Sequence, residues 1–123
     1  MPAIKKPSLS RPFLFAFSGI FEVIKAERNI KIHLILATLA ILLGLILGIN
    51  RLEWLAVILI ISAVLVAEIF NSAIEEICNI IKREDHLDYQ ETKFIRNASA
   101  GAVLILAIAS VIIGAIIFLP YLL

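Results

Sequence analysis

The second of three long apolar runs in this chain ends in the segment "EIFNSAIEE" (68–76), which puts Glu68, Asn71 and Glu75 where a membrane helix should still be inside lipid. The runs at 32–49, 54–81 and 98–119 are each near or beyond the ~20 residues that a helix needs to cross a bilayer. Hydrophobic residues make up 62% of the 123 and charged residues 17%, and the mean hydropathy is +1.05. A soluble core has no room for that much apolar surface. The expected fold is therefore all-α and integral to a membrane: one domain of three transmembrane helices, with an N-terminal amphipathic helix lying in the interface.

The remaining segments fit that frame. Residues 1–12 are basic and broken by prolines, and read as a loose arm. Over 13–29, Phe13, Phe17, Ile20 and Ile24 share one helical face, while Ser18, Glu22, Lys25 and Asn29 share another. That pattern describes a helix lying on the membrane surface. Residues 82–97 read as a charged loop, within which His86 alone makes no metal site. Lys5, Lys6, Arg11, Lys25, Arg28 and Lys31 precede the first run, and Lys82, Arg83, Lys93 and Arg96 lie between the second and third. By the positive-inside rule the N-terminus and this loop are cytoplasmic, and the C-terminus is outside. A net charge of +1 offers nothing to nucleic acid. The single cysteine, Cys78, reads as a free, inert thiol. Gly44 and Gly48 stand at GxxxG spacing, which permits close helix approach but is weak evidence of it.

The polar residues of the second run form a stripe. At about 100° per residue, Glu68, Asn71, Ser72, Glu75 and Asn79 fall within an arc of roughly 100°. Counted from Trp54 at about 1.5 Å per residue, Glu68 lies about 21 Å deep and Glu75 about 31 Å, against a hydrocarbon core of roughly 30 Å. Glu68 is thus placed just inside lipid and Glu75 at the water boundary, level with Glu27, Lys31, Arg96 and Asn97. Unpaired carboxylates at membrane depth are costly, so the stripe must face protein. Polar glue between helices is the plainer explanation for one such residue. Two carboxylates and an amide on one face instead suit an enzyme that joins a lipid to a water-soluble substrate. An ion pathway fits less well, because 54–67 offers only Ser62 toward the outer side.

Three segments, "AERNIKIH" (26–33), "EIFNSAIEE" (68–76) and "SAGAVL" (99–104), resemble the small bacterial diacylglycerol kinase and undecaprenol kinase family, over nearly the whole chain. The ending "IIGAIIFLP" is nearer the undecaprenol kinase branch. The resemblance implies a multi-pass homotrimer of the bacterial inner membrane, with active sites shared between subunits. It also implies transfer of the ATP γ-phosphoryl group to the hydroxyl of a membrane lipid alcohol, undecaprenol or diacylglycerol, at the cytoplasmic face. Residue by residue, Glu68 matches the family's catalytic base and Asn71 the asparagine that supports it. Glu27 and Glu75 match the acidic metal ligands.

The chemistry agrees with that match. Phosphoryl transfer needs a hard cation such as Mg²⁺ on the phosphates, and carboxylates such as those of Glu27 and Glu75 suit it. Lys31, Lys93 and Arg96 are placed to hold phosphate oxygens, with Asn79 and Asn97 beside them. A P-loop is absent, since the five glycines are scattered, and the family lacks one too. Two departures from the family's pattern stand out: Asn79 where Asp is common, and Arg96-Asn97 where Lys-Asp is common. Each asparagine keeps hydrogen-bonding capacity but loses the charge. The alternative they raise is a catalytically degenerate trimeric scaffold or lipid-binding relative.

Overall fold

The computed structural model describes residues 10–85 and 88–123. Most of the expected basic arm, and His86, lie outside the described residues. Four helices follow in chain order: α1 (Ser10–Ala26), α2 (Arg28–Leu47), α3 (Arg51–Asp85) and α4 (Tyr89–Leu122). Of these, α2, α3 and α4 are long and apolar enough to cross a membrane. The chain is an all-helical integral membrane protein, as its apolar runs predict.

Two boundaries differ from expectation. The surface helix was expected to run through Asn29, but it stops at Ala26, and Glu27 adopts an extended conformation (φ −107°, ψ 126°). This residue makes the corner between the surface direction and the first crossing, which moves Arg28 and Asn29 into α2. The expected loop 82–97 is mostly helix, since α3 runs on to Asp85 and α4 begins at Tyr89. Its charged residues sit on continuations of two helices that outreach the bilayer: α3, at 35 residues, is roughly 52 Å long. Polarity there marks exit from lipid, and a helix needs no lipid to continue. Asp88 starts α4 by accepting from the Gln90 N–H at 3.0 Å, a conventional N-cap.

The end of the bundle where α2 turns into α3 is tightly built. Gly48 ends α2 in the left-handed conformation at φ 66°, and its N–H bonds the Gly44 carbonyl at 3.0 Å. A Cβ on Gly44 would lie 2.9 Å from the Trp54 ring. Both glycines of the GxxxG pair therefore serve the turn within one subunit. Asn50 and Glu53 cap α3 reciprocally: the Asn50 N–H reaches Glu53 Oε1 at 3.0 Å, and the Glu53 N–H reaches Asn50 Oδ1 at 2.9 Å. Tyr121, near the end of α4, donates its hydroxyl to the same Glu53 carboxylate. Beneath this lock Ile49, Val57 and Ile117 form the buried core. α3 packs most extensively on α4 and less on α2, while α1 buries none of its side chains.

Candidate active site

The buried residues of α3 are Val57, Val64, Glu68 and Cys78, with Asn71 and Glu75 half-buried between the last two. Their spacing keeps them on one side of the helix. The stripe that packs the apolar core near the α2–α3 turn thus turns polar toward the other end without changing face. Cys78 is a buried free thiol.

Glu68 is 3% exposed, and its Oε1 lies 3.2 Å from Nε2 of His33 on α2. A buried carboxylate needs such a donor, because leaving it unpaired costs several kcal/mol. Next along the stripe, Asn71 donates from Nδ2 to Glu75 Oε1 at 3.4 Å. With its amide nitrogen directed there, Asn71 Oδ1 is buried with no hydrogen-bond partner among the described residues. An orphaned hard oxygen beside a carboxylate is the donor set that Mg²⁺ accepts, commonly with one or two carboxylates and the rest from phosphate and water. The residues fit the ion. Among the described residues, however, no three His, Cys, Asp or Glu side chains converge on one point.

One turn further, Asn79 Oδ1 accepts from Arg96 Nη2 of α4 at 2.8 Å. Arg96 is held from two more sides: its Nε donates to Thr92 Oγ1 at 2.9 Å, and its guanidinium carbon lies 5.2 Å from the Tyr89 ring centre. Thr92 is buried at 2% exposed, so its hydroxyl is a fixed anchor. The asparagine that departs from the family pattern is therefore a tether for a cation, and it leaves that cation's charge unneutralised.

Glu27, at the α1–α2 corner, is half-buried, and its side chain makes no capping hydrogen bond. Lys31 donates to the Lys25 carbonyl at 3.2 Å, bridging the end of α1 to the start of α2. Lys93 and Asn97 are exposed on α4, and their side chains make no hydrogen bond or ion pair among the described residues. The structure thus joins Asn71 to Glu75 and Asn79 to Arg96, and gives Glu68 a histidine partner. It joins neither Glu27 nor Lys31 to the α3 stripe.

Sequence reasoning missed two residues of this site, His33 and Thr92. His33 had a signal, as the single titratable side chain of the run 32–49. Thr92 had only its four-residue spacing from Arg96, which means nothing until the segment is known to be helical. An apolar groove of about 230 Å³ opens between α2, α3 and α4, lined by His33, Ala37, Val64, Ser110, Gly114 and Phe118 among others.

Three bilayer-length helices with a carboxylate, a hard-oxygen pair and a tethered guanidinium in line define an integral membrane protein equipped to handle phosphate. Residues 14–118 match the family of prokaryotic diacylglycerol kinases. An undecaprenol kinase of Bacillus subtilis is 34% identical over 110 residues, covering 89% of this chain and 87% of that protein. A diacylglycerol kinase of Synechocystis is 28% identical over 117 residues, covering 95% of this chain and 66% of that protein. No solved structure matches. The chain belongs to the prokaryotic diacylglycerol kinase family and is a membrane lipid kinase.

Proposed function

We propose that this protein transfers the γ-phosphoryl group of Mg-ATP to the hydroxyl of a membrane lipid alcohol, with undecaprenol favoured over diacylglycerol. It works as a homotrimer at the cytoplasmic face of the bacterial inner membrane, its N-terminus inside and C-terminus outside. The observation that carries this reading is the order of groups along one face of α3: a buried Glu68, then Asn71 and Glu75 with an orphaned oxygen, then Asn79 tethering Arg96. Lipid depth falls away along that line just as phosphate-binding capacity rises.

In this mechanism Glu68 provides the carboxylate that draws the proton from the acceptor hydroxyl. Glu75 and Glu27, with Asn71 Oδ1, would hold Mg²⁺, which when bound would supply positive charge to the phosphates. Arg96, fixed by Asn79 and Thr92, takes phosphate oxygens, and Lys31, Lys93 and Asn97 border the nucleotide. The trimer is what the family resemblance implies; among the described residues no three acidic or other metal-ligating side chains converge within one subunit, which leaves room for a neighbouring copy to add ligands. Undecaprenol is favoured because the undecaprenol kinase of Bacillus subtilis covers most of both chains at 34% identity. Orientation rests on the cations gathered near the α1–α2 corner and between the second and third spans. Asn79's hold on Arg96 is a reason to prefer an active enzyme to a degenerate scaffold.

The test is transfer of labelled phosphate from ATP to undecaprenol, diacylglycerol and ceramide in parallel, using membranes that carry the protein. Glu68→Gln should lower turnover by about 10²–10⁴-fold with the oligomer unchanged. Undiminished turnover in that variant would remove Glu68 from the chemistry, and silence of the wild type on every alcohol would remove the kinase reading for this chain.

A further inference from the structure

The apolar groove between α2, α3 and α4 begins beside the buried carboxylate. His33 is one of its lining residues, and the same ring lies 3.2 Å from Glu68. Ser110 is the other polar residue of the lining, and its hydroxyl is turned back onto the Ala107 carbonyl at 2.6 Å. The groove therefore has a polar mouth and an apolar length, which is the polarity of a long-chain alcohol. All of its walls lie on the three bilayer-length helices.

Its size limits what can occupy it. The lining of α3 runs from Val57 to Leu65 and that of α4 from Ser110 to Phe118, about 12 Å along each helix. A volume of about 230 Å³ over that length leaves a cross-section of roughly 19 Å². Apolar chains in contact lie about 4.5 Å apart, so one chain needs roughly 20 Å². Two chains side by side do not fit. A helix of a second copy does not fit either, since one turn about 10 Å wide and about 5.4 Å tall fills on the order of 400 Å³.

We infer that the groove is a binding site for the hydrocarbon tail of the acceptor, one slender chain of an alcohol whose hydroxyl lies at Glu68. This inference rests on the lipid kinase reading and specifies how that substrate's tail is held. Occupancy is decided by fit, because the surrounding lipid is as apolar as the groove itself. Ala37, Ala40 and Gly114 set the fit, since their small side chains leave the space. Gly114 is the most direct of the three. A Cβ added there meets nothing within 4 Å, so the missing side chain is room in the groove and not a packing contact. Tyr121 pairs with Glu53 and Arg96 with Asn79, which sets Gly114 level with Ile60, about 12 Å along α3 from Glu68. A substitution at Gly114 therefore touches the tail and leaves the reacting groups alone.

The experiment compares Gly114→Ala and Gly114→Leu with wild type in the full-length protein, reconstituted in bilayers with the long-chain alcohol that the wild type phosphorylates best. Overfilling a fitted site corresponds to roughly 5- to 100-fold in affinity, so KM for the alcohol should rise by that factor in Gly114→Leu and less in Gly114→Ala. KM for Mg-ATP should stay within about twofold and the oligomer should be unchanged. A second readout needs no turnover: farnesol carrying a diazirine at its far end should, on irradiation, label the groove walls at 37–40 or 110–118. Gly114→Leu should abolish that labelling. An unchanged KM for the alcohol in Gly114→Leu would overturn the inference, as would label confined to lipid-facing residues such as Ile105 and Ile116, while the kinase reading would stand. A changed oligomer in Gly114→Leu would overturn it too, showing that side chains of a second copy fill the groove. A wild type that is labelled in the groove yet transfers phosphate to no alcohol would overturn the kinase reading instead, so the two failures are distinguishable.

Discussion

Restoring the family's common acidic residue, by Asn79→Asp, should weaken nucleotide binding. Asn79 Oδ1 sits 2.8 Å from Arg96 Nη2, so a carboxylate in its place would form an ion pair with no rearrangement. Arg96 would then give up that pairing to hold a phosphate. Two unit charges about 4 Å apart in water attract by about 1 kcal/mol, and exposed pairs measure ~0–1 kcal/mol. Asn79 is exposed, so the lower figure governs, and the penalty should be about 0.5–1 kcal/mol. At about 1.4 kcal/mol per decade, KM for Mg-ATP should rise roughly two- to fivefold with kcat nearly constant. The assay is a Mg-ATP titration at saturating lipid alcohol, repeated near 1 M salt, where a screening length of about 3 Å should shrink the difference. Asn79→Ala, which removes the tether without adding charge, should fall between wild type and Asn79→Asp. A lower KM in Asn79→Asp would refute the reasoning, because it would mean that the position serves the metal and that asparagine there is a loss.

Other substitutions test separate parts of the structure. Gly44→Ala puts a Cβ 2.9 Å from the Trp54 ring and should destabilise the fold by about 1–3 kcal/mol, read as a lowered unfolding midpoint in micelles; an unchanged midpoint would show that the ring has room to move. Gly48→Ala, at φ 66°, should cost about 1–2 kcal/mol by the same measurement. Asn71→Leu removes the orphaned oxygen and should raise the Mg²⁺ needed for half-maximal turnover by about tenfold or more at fixed ATP, whereas EDTA should abolish turnover in the parent protein.

Much of the fold was legible because lipid imposes one rule, that backbone polar groups must be satisfied within a helix or a closed barrel. Three apolar runs therefore meant three helices, whatever the tertiary detail. The charged segment 82–97 was misread because polarity resembles a loop where a helix has only left the bilayer. The GxxxG pair was weak evidence for a similar reason. Spacing cannot distinguish a glycine that admits another helix from Gly48 closing its own helix at positive φ. Within the site, the α3 stripe was visible, since one helix fixes the relative angles of Glu68, Asn71, Glu75 and Asn79. Partners from other helices were not visible. His33 meets Glu68, and Arg96 meets Asn79, only through the way α2 and α4 are laid against α3. Such pairings depend on helix rotation and register, which one sequence does not reveal.

The two ends of the bundle are held by different means, and the difference bears on how a lipid and a nucleotide could be admitted together. At the end that holds the α2–α3 turn, Gly48 closes α2, Asn50 and Glu53 cap α3, Tyr121 ties α4 to the same carboxylate, and Trp54 fills the space that Gly44 leaves. All three membrane helices are pinned there by groups that the proposed chemistry does not use. At the other end, among the described residues, the polar side-chain contacts between α3 and its neighbours are His33 with Glu68 and Arg96 with Asn79, and Glu68 and Arg96 are the groups assigned to substrate. Substrate binding can exchange those contacts for new ones without touching the lock at the α2–α3 turn. A hydroxyl takes up Glu68, a phosphate takes up Arg96, and α2 and α4 can shift on α3 about a fixed far end. Low local stability at a working site is expected where its own contacts are the ones ligands replace. Here the sequence confines it to the end where carboxylates, cations and lipid meet.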